Sequence, residues 1–422
     1  MQLSILKCIS CGKEYAVTDI RFTCTCGHLL DVSHDLRAIK KKFHLSKKYF
    51  DGKRGTINGQ PTGGVWHFNE LVLPSAKEKE IVSKQEGNTR LHHSKKISSW
   101  LGLPRLYLKH EGENPTGSFK DRGMTVAVTQ ARKLHQKAVV CASTGNTSAS
   151  LAAYASEAEM TGLVLIPKGS VAVGKISQAL AYGTKTLIVN GDFDDCMRLI
   201  FEAQEKLRAY PLNSINPFRL EGQKTIIWEA LQQLEWRVPD WFIFPGGNLG
   251  NTSAFGKALQ EASELGLIEK MPRLAVIQAE GASPFYRAFK DGFKELRPQK
   301  AHTIATAIKI GNPANYTKAI RSLRWTNGIV ESVTDDEILE AKAHVDEAGI
   351  GAEPASCATV AGLKKLIENG IVKPRETVVG ILTGNMLKDP QTIVDYHLNK
   401  PGKHANPPVD IEATIEAVEI FL

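Results

Sequence analysis

The chain predicts an α/β protein built on open, mostly parallel sheets, and three observations carry that expectation. Several short runs are almost continuously apolar, as strands buried on both faces are. Between them lie segments whose apolar residues recur at three- and four-residue spacing, the pattern of amphipathic helices. Glycine- or hydroxyl-rich turns follow directly on several of the runs, at the carboxyl ends of strands, where open sheets of this class hold their ligands.

The first element is a small cysteine module. Four of the seven cysteines cluster at the start as Cys8-x-x-Cys11 and Cys24-x-Cys26, followed at once by Gly27 and His28. Two knuckles of this kind resemble a zinc ribbon, in which four thiolates surround one tetrahedral metal and leave no position open for catalysis. The second knuckle is one residue tighter than the usual form, so two readings stand: a structural zinc on Cys8, Cys11, Cys24 and Cys26, with His28 available as a substitute ligand, or a metal-free remnant. An odd number of cysteines in a chain of 422 residues does not describe a disulfide framework. Cys141, Cys196 and Cys357 fall on apolar stretches and read as buried packing residues.

A polar, basic stretch runs to about Gly64, and Val65-Trp66-His67-Phe68 marks the change to alternating elements. The candidate buried strands are Val139-Val140-Cys141, Leu163-Val164-Leu165-Ile166, Thr186-Leu187-Ile188-Val189, Trp241-Phe242-Ile243-Phe244, Leu274-Ala275-Val276-Ile277 and Val378-Val379-Gly380-Ile381-Leu382. Cys196, Leu199, Ile200, Ala203 and Leu207 trace one helix face, and Thr334 with Glu337 forms a capping box opening a helix that Gly349 closes. From Pro401 the chain reads as a linker and a short closing strand or helix.

Composition sets bounds. The length exceeds one ordinary core and calls for two or three domains. Hydrophobic residues at 42% and charged residues at 23% are globular values. The formal charge of +8 is scattered, with Lys40-Lys41-Lys42 and Lys47-Lys48 as solvated faces and no nucleic-acid-binding motif. No apolar stretch approaches the roughly 20 residues of a membrane helix and no signal peptide is evident, so a cytoplasmic protein is expected.

Chemistry concentrates at Glu113-Asn114-Pro115-Thr116-Gly117-Ser118-Phe119-Lys120-Asp121-Arg122-Gly123. Pro115 and Gly117 punctuate a turn, and Gly123 allows close backbone packing as a helix begins. Lys120 thus sits at the mouth of a helix, whose positive end opposes an ammonium and favours the neutral amine that attacks aldehydes. Three turns each follow a strand: Ser143-Thr144-Gly145-Asn146-Thr147-Ser148, Pro245-Gly246-Gly247-Asn248-Leu249-Gly250-Asn251-Thr252, and Thr383-Gly384-Asn385. The first can hold an anion at a helix N-terminus, and in the second three glycines let successive N–H groups converge into a phosphate nest. A neutral lysine, a phosphate nest and polar groups for a ring together describe a site for pyridoxal phosphate. Neither Gly-x-Gly-x-x-Gly nor Gly-x-x-x-x-Gly-Lys-Ser/Thr occurs in the context that a nucleotide would require.

Nearly the whole chain, from the cysteine module to Thr383-Gly384-Asn385-Met386-Leu387-Lys388-Asp389-Pro390, resembles the threonine synthases. The likeness rests on the run from Lys109 to Gly123, on Ser143 to Asn146, on Asn216-Pro217-Phe218-Arg219-Leu220-Glu221-Gly222-Gln223-Lys224-Thr225, on Gly246 to Asn251, and on Thr306-Ala307-Ile308-Lys309-Ile310-Gly311-Asn312-Pro313. The lysine motif marks only the wider fold type II group, which includes threonine dehydratase, cysteine synthase and tryptophan synthase β; the segments at Asn216 and Thr306 narrow it.

The resemblance implies two open, mostly parallel-sheet domains with the cofactor between them. Residues 35–129 and 216–422 would form the large domain and 130–215 the small one, after a module over 1–34. It implies Lys120 as the Schiff-base and catalytic lysine, Asn146 on the cofactor's 3-hydroxyl oxygen, and the Gly247, Asn248, Leu249, Gly250 and Asn251 amides on its phosphate. Thr383 would face the pyridine nitrogen, where a hydroxyl makes a more moderate electron sink than a carboxylate. The implied reaction, in amino-acid biosynthesis, converts O-phospho-L-homoserine and water to L-threonine and phosphate. Lys175 and Arg219 are the candidates for the substrate's phosphate, with Ser143 and Thr144 nearby and Lys224 as a further candidate. Membrane and nucleic acid are not expected partners, and a homodimer is left open.

Two departures stand out: Arg90 in Gly87-Asn88-Thr89-Arg90-Leu91, where the family usually places proline, and Cys357 in Glu353-Pro354-Ala355-Ser356-Cys357. The rival readings are a cysteate synthase-like enzyme acting on phosphoserine and sulfite, a threonine dehydratase, and, from another class, a zinc-ribbon nucleic-acid-binding protein.

Overall fold

The computed structural model describes residues 3–53, 56–57, 60–61, 64–169 and 173–421, with only the backbone described at 56–57, 60–61 and 173–175. Strands β1 (Ser4–Cys8), β2 (Glu14–Ala16) and β3 (Leu30–His34) form an antiparallel sheet in the order β2-β1-β3. A short hairpin, β4 (Thr56–Ile57) and β5 (Gln60–Pro61), precedes β6 (Leu91–His92) and β7 (Leu106–His110), which begin the largest sheet. The chain then leaves that sheet to build β8 (Ala138–Ala142), β9 (Thr161–Pro167), β10 (Lys185–Val189) and β11 (Ala209–Pro211), all parallel, in the order β10-β9-β8-β11. It returns with β12 (Trp241–Pro245), β13 (Arg273–Ala279), β14 (Ile329–Val333) and β15 (Val378–Leu382). The completed sheet runs β14-β13-β12-β15-β7-β6, parallel except at β6.

The apolar runs are strands because helices cover both faces of the large sheet. Alternate side chains of β12 point opposite ways: Trp241 and Ile243 join one core with Ala355 and Val360, while Phe242 and Phe244 join another with Phe255 and Leu259. Thr334 and Glu337 do cap the helix Asp335–Glu347, and Gly349 follows it at φ 75°. The run Thr186–Val189 forms β10 but departs from the buried strand expected. It is the edge of its sheet, paired only with β9, and Leu187 and Ile188 are 46% and 58% exposed. The expected closing element is the five-residue helix Ile415–Glu419.

Charged groups dock the N-terminal sheet on the body. Lys318 Nζ donates to the Leu30 carbonyl at 2.7 Å and pairs with Asp31 at 2.8 Å, while His34 Nε2 meets Glu221 Oε2 at 2.7 Å. Among the described residues no helix is long and apolar enough to cross a membrane.

Candidate active site

The carboxyl ends of β7, β8, β12 and β15 converge, the second from the small sheet and the others from the large one. A cavity lies where they meet, and Lys120, Asn146, Arg219, Gly247, Glu353 and Thr383 are among the residues lining it.

Lys120 is the first residue of the helix Lys120–Lys133, and its neighbours explain the rigidity of its frame. Phe119 N–H donates to the Thr383 carbonyl at 3.0 Å, and Ser118 bridges Gly384, so the loop is stitched to the end of β15. Gly117 turns the loop at φ 81°. Buried Asp121 accepts from Thr116 N–H and Oγ1, both at 2.7 Å, and from Ser150 Oγ at 2.5 Å. On the other side, buried Arg122 pairs with Glu111 at 2.5 Å and Glu229 at 2.9 Å. Glycines set the approach of the helix Pro217–Gln223: a Cβ on Gly222 would stand 1.7 Å from the Arg122 carbonyl oxygen.

Burial lowers the Lys120 ammonium to about 7; nearby Arg219 pushes the same way and Glu353 opposes. The sequence reading assigned this loss of proton affinity to the positive end of the helix. In the structure desolvation is the larger cause, because the amine faces a cavity closed in by packed side chains.

The loop after β12 has the form of an anion nest. Leu249 takes a left-handed conformation at φ 61° before the helix Gly250–Glu264. Among the described residues, no protein acceptor meets the backbone N–H groups from Gly247 to Asn251. Side chains hold the loop: Asn248 Nδ2 donates to Ser214 Oγ at 2.8 Å and its Oδ1 accepts from Ala314 N–H at 2.9 Å. The short turn Thr306–Ile308 covers it so closely that a Cβ on Gly247 would lie 3.1 Å from Ile308 Cα. Thr383, just past β15, shares its hydroxyl with Ser356 Oγ at 3.1 Å.

Asn146 opens the helix Asn146–Glu157, and its Nδ2 donates to Glu353 Oε2 at 3.1 Å. Glu353 was not singled out from the sequence. An acid just before a proline at a helix start reads as ordinary punctuation, and only the tertiary fold brings it to the cavity. Burial raises its carboxyl, with Asn146 opposing.

Arg219 is fully buried and, among the described residues, has no carboxylate partner. Its Nη1 donates to the Leu212 carbonyl at 2.9 Å, but among the described residues Nε and Nη2 meet no acceptor, and Gln223 Oε1 and Asn251 Oδ1 on the same cavity meet no donor. Burial lowers the guanidinium to about 10. Buried charges and polar atoms are ordinarily paired, so this set fits an anionic, polar guest. The amide nest, Lys120 and the hydroxyl of Thr383 fit the phosphate, aldehyde and ring of pyridoxal phosphate.

Other expected residues are placed differently. Lys224 has both neighbours it needs, Glu221 at 2.5 Å and Glu261 at 2.7 Å, and is spent inside the protein rather than on a ligand. Ser143 Oγ accepts from Gly145 N–H at 3.2 Å, and neither Ser143 nor Thr144 is among the cavity-lining residues. Lys175 belongs to the helix Val173–Ala181, one turn before Gln178, and its side chain lies outside the described residues. Gln178 itself meets Lys388 and, at 3.4 Å, the Thr116 carbonyl, joining that helix to the lysine loop. At the departure from the family pattern, Arg90 N–H donates to Glu113 Oε2 at 2.7 Å, a bond that proline lacks.

The family model described as "Pyridoxal-phosphate dependent enzyme" matches residues 82–384. The processed form of threonine deaminase isoform 2 from Solanum lycopersicum shares the fold with a TM-score of 0.64 at 20% identity, over 79% of this chain and 94% of that one. Maize serine racemase does so with a TM-score of 0.62 at 20% identity, over 76% and 92%. Family match, fold and site together define a fold type II pyridoxal-phosphate-dependent enzyme. The threonine synthase of Methanosarcina acetivorans is 45% identical over 98% of this chain and 97% of its own. That of Methanocaldococcus jannaschii is 45% identical over 99% and 98%, and chloroplastic threonine synthase 2 of Arabidopsis thaliana 40% identical over 97% and 82%. The chain belongs to the threonine synthase family.

Proposed function

We propose that this chain converts O-phospho-L-homoserine and water to L-threonine and phosphate. The observation that carries the reading is Arg219: a buried guanidinium, two of whose nitrogens have no acceptor among the described residues, lines the same cavity as the Lys120 amine and the amide nest after β12. On this reading residues 247–251 take the cofactor's phosphate and Arg219 takes the substrate's. Lys175, Ser143 and Thr144 are the further candidates for binding the substrate's phosphate.

Pyridoxal phosphate, held through Lys120, supplies the electron sink that lets carbon-bound protons leave. Lys120, lowered to about 7, is poised to act as a base at neutral pH. Once the substrate's amine has displaced it from the cofactor, the Lys120 amine takes the proton from the substrate's Cα and then one from Cβ, and these two protons return at Cγ and Cα. Phosphate leaves from Cγ, its charge balanced by Arg219; the hydroxyl of water is added at Cβ, and the remaining proton of that water goes to the phosphate. Asn146, fixed by Glu353, would hold the cofactor's ring oxygen, and Thr383, fixed by Ser356, would offer its ring nitrogen a hydrogen bond without a full charge. Gln178 and Lys388 hold the small sheet's helix against the lysine loop.

The same reading places residues 35–129 and 216–422 in the large domain and 130–215 in the small one, and the enzyme in the cytoplasm, with no nucleic-acid partner and a homodimer as the assembly to look for. The test is the holoenzyme with phosphohomoserine, scored as equal release of phosphate and threonine. Turnover confined to phosphoserine with sulfite, or to threonine with ammonia release, would replace the proposal with one of its rivals.

A further inference from the structure

The cysteine module takes no part in the chemistry above, yet its geometry is specific. Cys8 Sγ lies 3.5 Å from Cys26 Sγ, Cys11 Sγ 3.6 Å from Cys24 Sγ and 3.5 Å from Cys26 Sγ, and all four sulfurs lie within 4.8 Å of one another. Each sulfur thus belongs to one cluster rather than to a disulfide pair. Four thiolates on a zinc at about 2.3 Å span edges of about 3.8 Å. The observed spacing is close to that of a tetrahedron needing only its centre. We infer that Cys8, Cys11, Cys24 and Cys26 form a tetrathiolate zinc site that fixes the N-terminal sheet to the body of the enzyme.

The short second knuckle does not spoil the site, because the backbone absorbs the missing residue. In the first knuckle Gly12 N–H reaches the Cys8 carbonyl, four residues back, at 3.2 Å; in the second Gly27 N–H reaches the Cys24 carbonyl, three residues back, at 2.9 Å. Both glycines adopt positive φ, 74° and 84°, so each turn ends on a residue free to take that conformation. His28 is not required as a ligand. Its Nδ1 lies 3.2 Å from the Cys26 carbonyl oxygen and 3.6 Å from Cys26 Sγ, but it does not join the group of four sulfurs that all lie within 4.8 Å of one another. Outer groups suit a centre of net negative charge: Ser10 N–H points to Cys8 Sγ at 3.5 Å, Tyr15 Oη lies 3.1 Å from Cys24 Sγ, and Lys13 and Arg21 lie over the Tyr15 ring.

The metal would join the end of β1 to the turn that leads into β3. That strand supplies the Leu30 carbonyl and Asp31 to Lys318, and His34 to Glu221, two residues beyond Arg219 on the same helix. The site has four ligands and no open position, so its role is to hold this docking strand in place.

The test uses the full-length holoenzyme, purified under reducing conditions with added zinc and then passed through a chelating column. Elemental analysis is expected to give one zinc per chain, falling to none in Cys11→Ser/Cys26→Ser, the two exposed ligands, while the cofactor absorbance remains. The metal-free variant is expected to melt at a lower temperature. Should that variant not fold, cobalt exchanged into the wild-type chain gives the second readout: the visible bands of a tetrahedral thiolate site are expected. No stoichiometric zinc in the wild type, iron in its place, zinc retained by the double variant, or cobalt without thiolate bands would each overturn the inference.

Discussion

Two buried cations five residues apart should respond to the same substitution in opposite ways. Arg219 and Lys224 are both buried, but among the described residues Arg219 has one carbonyl and no carboxylate, whereas Lys224 has two glutamates. A fall of the guanidinium from its ordinary value to about 10 means that holding it charged costs roughly 3 kcal/mol, at about 1.4 kcal/mol for each factor of ten. The sign follows from the depressed value: the cost is fully present below pH 10, hence at neutral pH, and disappears only as pH rises through the values of the folded and unfolded states. Arg219→Met removes that cost and loses one hydrogen bond worth about 1 kcal/mol, so the variant should be more stable by roughly 1–2 kcal/mol, a melting temperature a few degrees higher. Lys224→Met leaves Glu221 and Glu261 short of a partner and should cost about 3–5 kcal/mol. The assay is thermal unfolding in buffer free of phosphate and sulfate, beside steady-state kinetics with phosphohomoserine. Arg219→Met should raise KM at least tenfold, and inorganic phosphate should stabilise the wild type but not this variant. A destabilised Arg219→Met, or one with unchanged KM, refutes the assignment of Arg219 as a waiting anion site.

Three further outcomes test the cavity. Activity should fall on the acid side as Lys120 takes up a proton near pH 7; Arg219→Met, by removing a positive neighbour, should move that limb to higher pH, and Glu353→Gln, by removing a negative one, to lower pH. Limbs that stay put in both pH profiles would show that another group titrates. Lys120→Ala should retain no cofactor after borohydride reduction and denaturation, as read by mass spectrometry, and should release no threonine. Gly222→Ala should drive the Lys120 and Arg219 helices apart, because its Cβ meets the Arg122 carbonyl oxygen at 1.7 Å; a cost of about 1–3 kcal/mol and a loss of activity on the order of 100-fold are expected, measured by melting and by phosphate release. Near-normal values would show that the two helices yield without disturbing the site.

Much of the sheet was legible because it is written in local apolar runs. β12 and β15 are continuous in character, and both were recognisable without any partner. β7 was not, since Leu106-Tyr107-Leu108-Lys109-His110 carries a charge in mid-strand. Lys109 is buried there because three acceptors meet its amine: the Thr89 carbonyl, and Glu229 and Gln233, more than a hundred residues away. β10 failed in the other direction: its apolar run is genuine, but its place at the sheet edge leaves it exposed, and sheet order is not a local property.

The candidate site divides in the same way. By itself the sequence determined the framed lysine, the glycine nest and the polar strand-end turns, because each depends on backbone conformation set within a few residues. It also marked the two cysteine knuckles, while leaving their metal undecided. Tertiary structure alone decided which charges were spent and which were waiting: Lys224 lies between two glutamates, Arg219 does not, and Glu353 reaches Asn146 across 207 positions. Proton affinity belongs to this second class, since desolvation depends on every element packed around a group. Lys120 could be found from eleven residues, but its lowered affinity comes from burial, opened to Arg219 and Glu353 by the whole fold.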